Sequence, residues 1–388
     1  MGLDHVGLLD SPTSWLELSR ANLLHNLAGV RALAGETQIM AVVKANAYGA
    51  GAVGMAQVLA GAGVDAFGVA TVSEGVELRR ADIGGTIVCL AYFTRDEADA
   101  ILDYHLTPSI FTLDAARFLS ALAVNRNPQS AIRNLQSQIS VPVWIKIDTG
   151  LGRLGVPFQA APDLIREISQ IEALRISGLF STLTENPERD PIQLQRLLET
   201  RRAVPELVDV SLSLASSNGI VSLPASTLDV VRPGVLLHGL EPSERERMNL
   251  RLVERADLRP IATWKARVGF IKTVAPGEQI GYGSRPALAG ATRVATLTAG
   301  WAAGYSTNMS QGGAVLIQGH RCPVMAVSAN STLVELSGAP EIAMNDEVVL
   351  LGKQGDAEIT AAEMVHVTGS SVYRLLAAVP HDVPRVWG

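Results

Sequence analysis

Lys44 stands in the segment Ile39-Met-Ala-Val-Val-Lys-Ala-Asn-Ala-Tyr48-Gly-Ala-Gly51, after five apolar residues and before a small-residue turn ending in glycine. This pattern puts an amine at the end of a buried parallel strand, where the chain turns out towards a helix. Burying an ammonium costs several kcal/mol unless it is paired or neutralised. A chain that keeps one there has a use for a neutral amine nucleophile, most often one that forms a Schiff base with a carbonyl cofactor. A lysine whose stem covers apolar surface while its head reaches water would explain the residue without chemistry.

Three other polar clusters follow short β-branched runs: Lys146-Ile-Asp148-Thr-Gly150-Leu-Gly152-Arg153-Leu-Gly155, Ser216-Ser217-Asn218-Gly219 and Arg232-Pro233-Gly234. Glycine with serine suits phosphate capture, because backbone N–H groups and hydroxyls can converge without a side chain in the way. Singly these clusters are weak. Ser-Ser-Asn-Gly is often a plain turn, Lys146 could pair with Asp148, and Arg232 could pair with Asp229. Together they supply an amine, a phosphate cradle and two fixed cations.

The elements that would position these groups alternate. Strands are expected at Trp15–Leu18, Ile39–Lys44, Phe67–Val72, Ile87–Ala91, Leu106–Phe111, Val141–Ile147, Ile176–Phe180, Val210–Leu214 and Val230–Val235. Helices are expected between them, among others at Ser19–Leu33, Ala52–Ala62, Val72–Ala81, Phe158–Gln170 and Pro191–Ala203. Strand–helix repetition over more than 200 residues implies a parallel sheet with right-handed crossovers. About eight units favour an α/β fold of the (β/α)8 TIM-barrel type, whose active site lies at the C-terminal ends of the strands. We expect this barrel domain, with the N-terminal strand, to span residues 1–243. From Ile261 onward short strands rich in Val, Thr and Leu succeed one another, so residues 244–388 read as a mostly β domain. The Glu- and Arg-rich stretch Glu241–Asp257 reads as a linker or a solvated crossover.

Composition narrows the class. With 388 residues, 47% hydrophobic and 18% charged, the chain is long enough for two globular domains. A net charge of -6 and the lack of any basic run speak against nucleic acid. Charged or polar residues interrupt every apolar stretch before the ~20 residues that cross a bilayer. Met1 to Ser14 shows no basic region followed by an apolar core, so a reduced cytoplasmic setting is expected. Two cysteines, Cys89 and Cys322, are too few for a disulfide scaffold, and seven histidines without ligand spacing suggest no metal.

At this point the sequence resembles the alanine racemase family, pyridoxal-phosphate enzymes with an N-terminal barrel and a C-terminal β domain. The resemblance runs from Trp15 almost to the last residue. It rests on Ala41-Val-Val-Lys-Ala-Asn-Ala-Tyr-Gly, Lys146-Ile-Asp-Thr-Gly-Leu-Gly-Arg-Leu-Gly, Val231-Arg-Pro-Gly, Ile280-Gly-Tyr-Gly-Ser and Val383-Pro-Arg-Val-Trp, in that order. It implies that Lys44 carries pyridoxal 5'-phosphate and exchanges a proton on one face of a small amino-acid substrate. Tyr282 would be the opposing acid–base, reaching in from a partner subunit, so a homodimer is implied. Arg232 would face the pyridine nitrogen, and Arg153 would lie near the cofactor hydroxyl and Tyr282. Tyr48, Ser217, Gly234 and Tyr373 match phosphate-binding positions. Lys146 matches a lysine that is often carbamylated in relatives, a modification that would steady Arg153.

Departures cluster around the same site. Thr182, beside the cofactor, and Ala50 each stand where relatives usually place a histidine. Ala329 and Asn330, near the substrate carboxylate, replace a methionine and an aspartate. Trp301 replaces an entrance tyrosine, and Ala303 an aspartate. The primary expectation is a racemase interconverting L- and D-alanine or a related small or polar amino acid, with Lys44 and Tyr282 as the two bases. The alternative is a divergent enzyme performing decarboxylation, elimination or oxidation on the same cofactor in secondary metabolism. A third, non-catalytic reading is a cofactor-carrying regulatory protein, against which the β domain and Tyr282 speak.

Overall fold

The computed structural model describes residues 12–126, 140–240, 257–283, 286–336, 338–339 and 341–388. The chain divides into two units. One comprises Leu27–Ala47 and Ala52–Leu237, the other Met1–Asn26, Tyr48–Gly51 and His238–Gly388. Strand β1 (Ser14–Leu18) belongs to the second of these.

The first unit is a parallel barrel. Its strands are β2 (Gln38–Val42), β3 (Ala66–Val69), β4 (Thr86–Cys89), β5 (Thr107–Ile110), β6 (Val141–Asp148), β8 (Leu174–Phe180), β9 (Ser211–Ser213) and β10 (Val230–Val231), with the short β7 (Val156–Pro157) beside β6. They run in the order β10-β2-β3-β4-β5-β6-β8-β9. The gap between β9 and β10 is bridged where Arg232 N–H donates to the Ala215 carbonyl at 2.9 Å, beside a parallel bridge between Ser216 and Arg232. The ring is therefore nearly closed, as the eight-fold rhythm requires. Helices such as Ala52–Gly61, Val72–Arg80, Leu113–Arg126 and Asp190–Arg202 connect the strands.

Several expected elements are shorter than their sequence pattern, two of them because of a proline or a strand pairing. The strand expected at Val230–Val235 ends at Val231, because Pro233 offers no N–H to a ladder. Its carbonyl instead accepts Val42 N–H at 2.8 Å. The helix expected from Phe158 begins at Ala161, with proline in its first turn, because Val156 and Pro157 pair with β6.

Met40, Ala66, Val88, Trp144, Phe180 and Val230 form a cluster inside the barrel. Trp144 meets Phe180 edge to face at 5.8 Å between ring centroids. Across the ladder Trp144 faces Gly178, and a Cβ on that glycine would sit 2.3 Å from the indole.

The second unit is built on one nine-stranded sheet. Besides β1 it contains β11 (Ala262–Val274), β12 (Thr292–Leu297), β13 (Ala314–Ile317), β14 (His320–Val327), β15 (Thr332–Glu335), β16 (Glu347–Gln354), β17 (Ala357–Ile359) and β18 (Arg385–Trp387). The expectation that the N-terminal strand joins the barrel is overturned: β1 pairs antiparallel with β11 and parallel with β18. The physical reason lies in its side chains. Trp15, Leu16 and Leu18 are buried there, Lys265 Nζ reaches Glu17 at 2.8 Å, and Trp264 Nε1 donates to Ser14 Oγ at 3.1 Å. The expected boundary at 243/244, and the linker Glu241–Asp257 except its last residue, lie outside the described residues.

The C-terminal segment is tied back by Arg385. Its Nε donates to the Gly49 carbonyl at 3.0 Å, and its Nη atoms donate to the carbonyls of Val379, Pro380 and Val383 at 2.5–2.9 Å.

The tight Trp144–Gly178 pair gives a stability test. Gly178→Ala should destabilise the barrel by about 1–3 kcal/mol through overpacking, read as a lower urea midpoint. An unchanged midpoint would mean that the indole moves aside at no cost.

Candidate active site

Lys44 follows β2 by two residues and opens a turn of left-handed hand. Ala45, Asn46 and Ala47 have φ/ψ near +50°/+50° (φ 52, 53 and 50), and Tyr48 has φ 51. L-residues adopt this conformation at a cost of about 1–2 kcal/mol each, with asparagine the most tolerant. Local bonds support it: Ala47 N–H donates to the Val43 carbonyl at 2.8 Å, and Asn46 Oδ1 accepts Ala52 N–H at 2.8 Å. The Glu74 carboxylate accepts Ala45 N–H at 2.7 Å. The expected small-residue turn is present, but nothing in the sequence pattern foretells its hand.

The Lys44 amine is half-buried. Its proton affinity is lowered first by burial and then by the nearby guanidiniums of Arg153 and Arg232, against an opposing pull from Glu74. Lys146 is deeper, at 4% exposure. Its Nζ donates to Thr182 Oγ1 at 3.1 Å and lies 4.2 Å from the Phe180 ring centroid. Burial, then Arg232, Arg153 and Lys44, push its pKa down to about 7. The simple ion pair with Asp148 is not formed. Asp148 Oδ1 instead accepts N–H groups of Gly150 and Gly152 at 2.9 and 3.1 Å, shaping the loop that carries the exposed Arg153.

Arg232 is 5% exposed and held by acceptors fixed in the barrel wall. Its Nη1 donates to Ser213 Oγ, and its Nη2 donates to the carbonyls of Ser181 at 2.5 Å and Leu214 at 3.3 Å. The Nε carries no bond among the described residues. Burial lowers its pKa to about 10, still well above neutrality. The pairing with Asp229 does not occur, since that carboxylate accepts Leu212 N–H at 2.8 Å. Ser217, buried at the start of the short helix Ser217–Ser222, accepts N–H groups of Gly234 at 2.8 Å and Leu236 at 3.4 Å. The barrel unit thus gathers Lys44, Lys146, Arg153, Thr182, Arg232, Ser217 and Gly234 at the C-terminal ends of its strands. Glu74 escaped the sequence reading, although Thr71-Val-Ser-Glu74 carries the capping-box pattern.

The remaining candidates lie in the second unit. The Tyr48 ring meets Tyr373 at 6.0 Å, tilted by 47°, and the buried His238 edge to face at 5.6 Å. Trp301 N–H donates to the Ser328 carbonyl at 2.9 Å and Ala302 N–H to Ala329 at 2.8 Å, so the Trp301 loop and the Ala329–Asn330 loop are joined. Gly300 permits this approach, because a Cβ there would meet the Ser328 carbonyl oxygen at 2.3 Å. Tyr282 is 84% exposed at a tip between Gly281 and Gly283, both at positive φ. The tip is anchored by buried Ile280 and by Gln279 Nε2 donating to the Gly283 carbonyl at 2.8 Å.

Known proteins are similar to this chain over most of its length. Residues 18–242 match the family model described as alanine racemase, N-terminal domain, and residues 261–387 the one described as alanine racemase, C-terminal domain. The chain is 33% identical to an alanine racemase of Carboxydothermus hydrogenoformans, over 96% of this chain and 99% of that protein. It is 30% identical to one from Halothermothrix orenii, over 96% of both. The structure resembles that of an alanine racemase of Clostridium difficile 630, with a TM-score of 0.88, 27% identity, and coverage of 97% of this chain and 96% of that one.

The depressed Lys146 amine makes a checkable linkage. Below about pH 7 the folded chain must hold a buried ammonium, whereas the unfolded chain keeps its proton up to about 10.5. Between these values the unfolded state binds more protons, so stability contributed by this group rises with pH. In CO2-free buffer, Lys146→Met should raise the denaturation midpoint at pH 6–7 and converge on the parent near pH 10. Parallel pH profiles would contradict the buried-amine assignment.

Proposed function

The chain belongs to the alanine racemase family, and from that premise we propose that it interconverts L- and D-alanine by moving the α-proton between Lys44 and Tyr282. Its class is that of the pyridoxal-phosphate-dependent isomerases. The observation that carries the reading is the Lys44 amine, weakened as a base by burial and two guanidiniums, on a turn at the mouth of the barrel.

The donor set suits pyridoxal phosphate. Lys44 offers an amine with reduced proton affinity for the aldehyde. Arg232 offers a fixed cation with an uncommitted Nε for the pyridine nitrogen. Ser217 and the Gly234 N–H, already converged at 2.8 Å, offer phosphate donors, and Tyr48 and Tyr373 would add their hydroxyls. When bound, the cofactor supplies an electron sink that acidifies the substrate α-carbon. Arg232 stays charged at neutral pH and donates a hydrogen bond without surrendering its proton, which restrains that sink and disfavours side reactions.

Inversion at the α-carbon needs one group to remove a proton and another to deliver one from the opposite face. Lys44 takes one role, and Tyr282 of a second copy of the chain takes the other, so the active protein is proposed to be a homodimer. Arg153 would hold the cofactor hydroxyl side. Lys146, with its pKa near 7, has a neutral amine available for carbamylation by CO2, and that carbamate would pair with Arg153. Thr182 occupies the space beside it and binds its Nζ. Trp301, Ala329 and Asn330 are proposed to shape the substrate entrance. The full-length relatives are named alanine racemases, which favours this reaction over decarboxylation, elimination or oxidation.

Exchange of the α-proton in D2O tests the proposal. The parent chain should exchange both alanine enantiomers. Lys44→Ala should lose exchange with both, by about 10²-fold or more, and Tyr282→Phe should lose it for one enantiomer far more than for the other. Exchange of neither alanine nor serine by the parent chain would refute the racemase reading.

A further inference from the structure

The two carboxylate oxygens of Glu74 serve different parts of the barrel. Oε2 accepts N–H groups of Ala70 at 2.7 Å and Thr71 at 3.3 Å, while Thr71 Oγ1 accepts Glu74 N–H at 3.2 Å. This is a capping box at the start of the helix Val72–Arg80, and one oxygen suffices for it. The other oxygen, Oε1, reaches 29 residues back along the chain to Ala45 N–H at 2.7 Å. Ala45 directly follows Lys44 and is the first of five consecutive residues at positive φ, Ala45 to Gly49.

We infer that Glu74 is a positioning residue for Lys44: by bridging Ala45 to the Ala70–Thr71 corner, its carboxylate fixes the left-handed turn in the form that presents the amine to the barrel mouth. The inference rests on the reading of Lys44 given above and extends it to a residue that touches neither substrate nor cofactor. Three features support it. The turn is intrinsically unfavourable for Ala and Tyr, so it persists only where its surroundings over-determine it. A hydrogen bond to an ionised acceptor is about twice as strong as a neutral one, and this one falls on the first residue of the turn. The charge also has a part. Lys44 faces the guanidiniums of Arg153 and Arg232 and the Lys146 amine, and Glu74 is the acid that opposes them at Lys44.

The full-length chain, freed of cofactor with hydroxylamine, is labelled with trace acetic anhydride from pH 6 to 11. Acetylation of Lys44 is measured by peptide mass relative to the exposed Lys353. In Glu74→Gln the labelling midpoint of Lys44 should fall by about one pH unit. In the reconstituted enzyme kcat should fall about tenfold or more, with KM changed less than about threefold. Glu74→Asp keeps the charge on a shorter arm. It should return the midpoint most of the way and the rate only in part. A Glu74→Gln chain with the parent's denaturation midpoint, the parent's Lys44 labelling profile and an unchanged kcat overturns the inference. So does a loss of rate with no change in labelling, which marks Glu74 as a helix cap alone. If Glu74→Gln fails to fold, Glu74→Asp is read in its place, and parental labelling and rate there also overturn it. A parent chain that exchanges no amino acid sinks the racemase reading, while the labelling midpoints still decide the role of Glu74.

Discussion

Lys44, Lys146, Arg153 and Arg232 lie close enough at the barrel mouth to feel one another's charge, and four positive groups in a half-buried volume are not all stable as cations. Which of them gives way is decided by intrinsic proton affinity. A guanidinium begins so high that even full burial leaves Arg232 near 10, still charged. The lysines begin lower and yield: Lys146 falls to about 7, and Lys44 is lowered in the same direction. Arg232 thus remains a fixed cation, while Lys146 reaches the range where a neutral amine is available and Lys44 is shifted towards it. The barrel supports this by surrounding Arg232 with acceptors that hold it without neutralising it, namely Ser213 Oγ and two backbone carbonyls.

The sequence carried the residues of this site better than their geometry. Lys44, Lys146, Ser217 and Arg232 were legible because each ends or follows an apolar β-branched run, and a parallel barrel must bring such ends together. The left-handed turn was not legible. Ala-Asn-Ala-Tyr contains no glycine to announce positive φ, and only Asn46 is tolerant of it. The conformation is imposed from outside, by contacts such as Glu74 to Ala45 that span 29 residues. The N-terminal strand was misassigned for a related reason. Its partner β11 is about 250 residues away in the chain, and no local pattern distinguishes a first barrel strand from an edge strand of another sheet. The C-terminal helix Ala361–Thr368, capped by Thr360, was likewise overlooked among strands.

The second unit carries most of the positions that the resemblance marks as departures, among them Trp301, Ala329 and Asn330. Trp301 and Asn330 sit on loops joined by backbone hydrogen bonds, with Gly300 permitting the close approach, rather than by their own side chains. Side chains on such loops can be exchanged with little effect on the sheet beneath. Tyr282 is presented in the same manner: buried Ile280 and flanking glycines fix the tip, leaving the phenol exposed. In the proposed reading, chemistry and specificity rest on different supports, with the lysine on a turn tied to the barrel through Glu74 and the proposed entrance residues on loops.

Two amines at the barrel mouth compete for one aldehyde, and Lys44, not the deeper and more strongly perturbed Lys146, is the one proposed to take it. Borohydride reduction of the purified chain reconstituted with pyridoxal phosphate, followed by peptide mapping, separates them. A single pyridoxyl group on Lys44 is the expected result, while a pyridoxyl group on Lys146, or on no lysine of the barrel, would contradict the assignment.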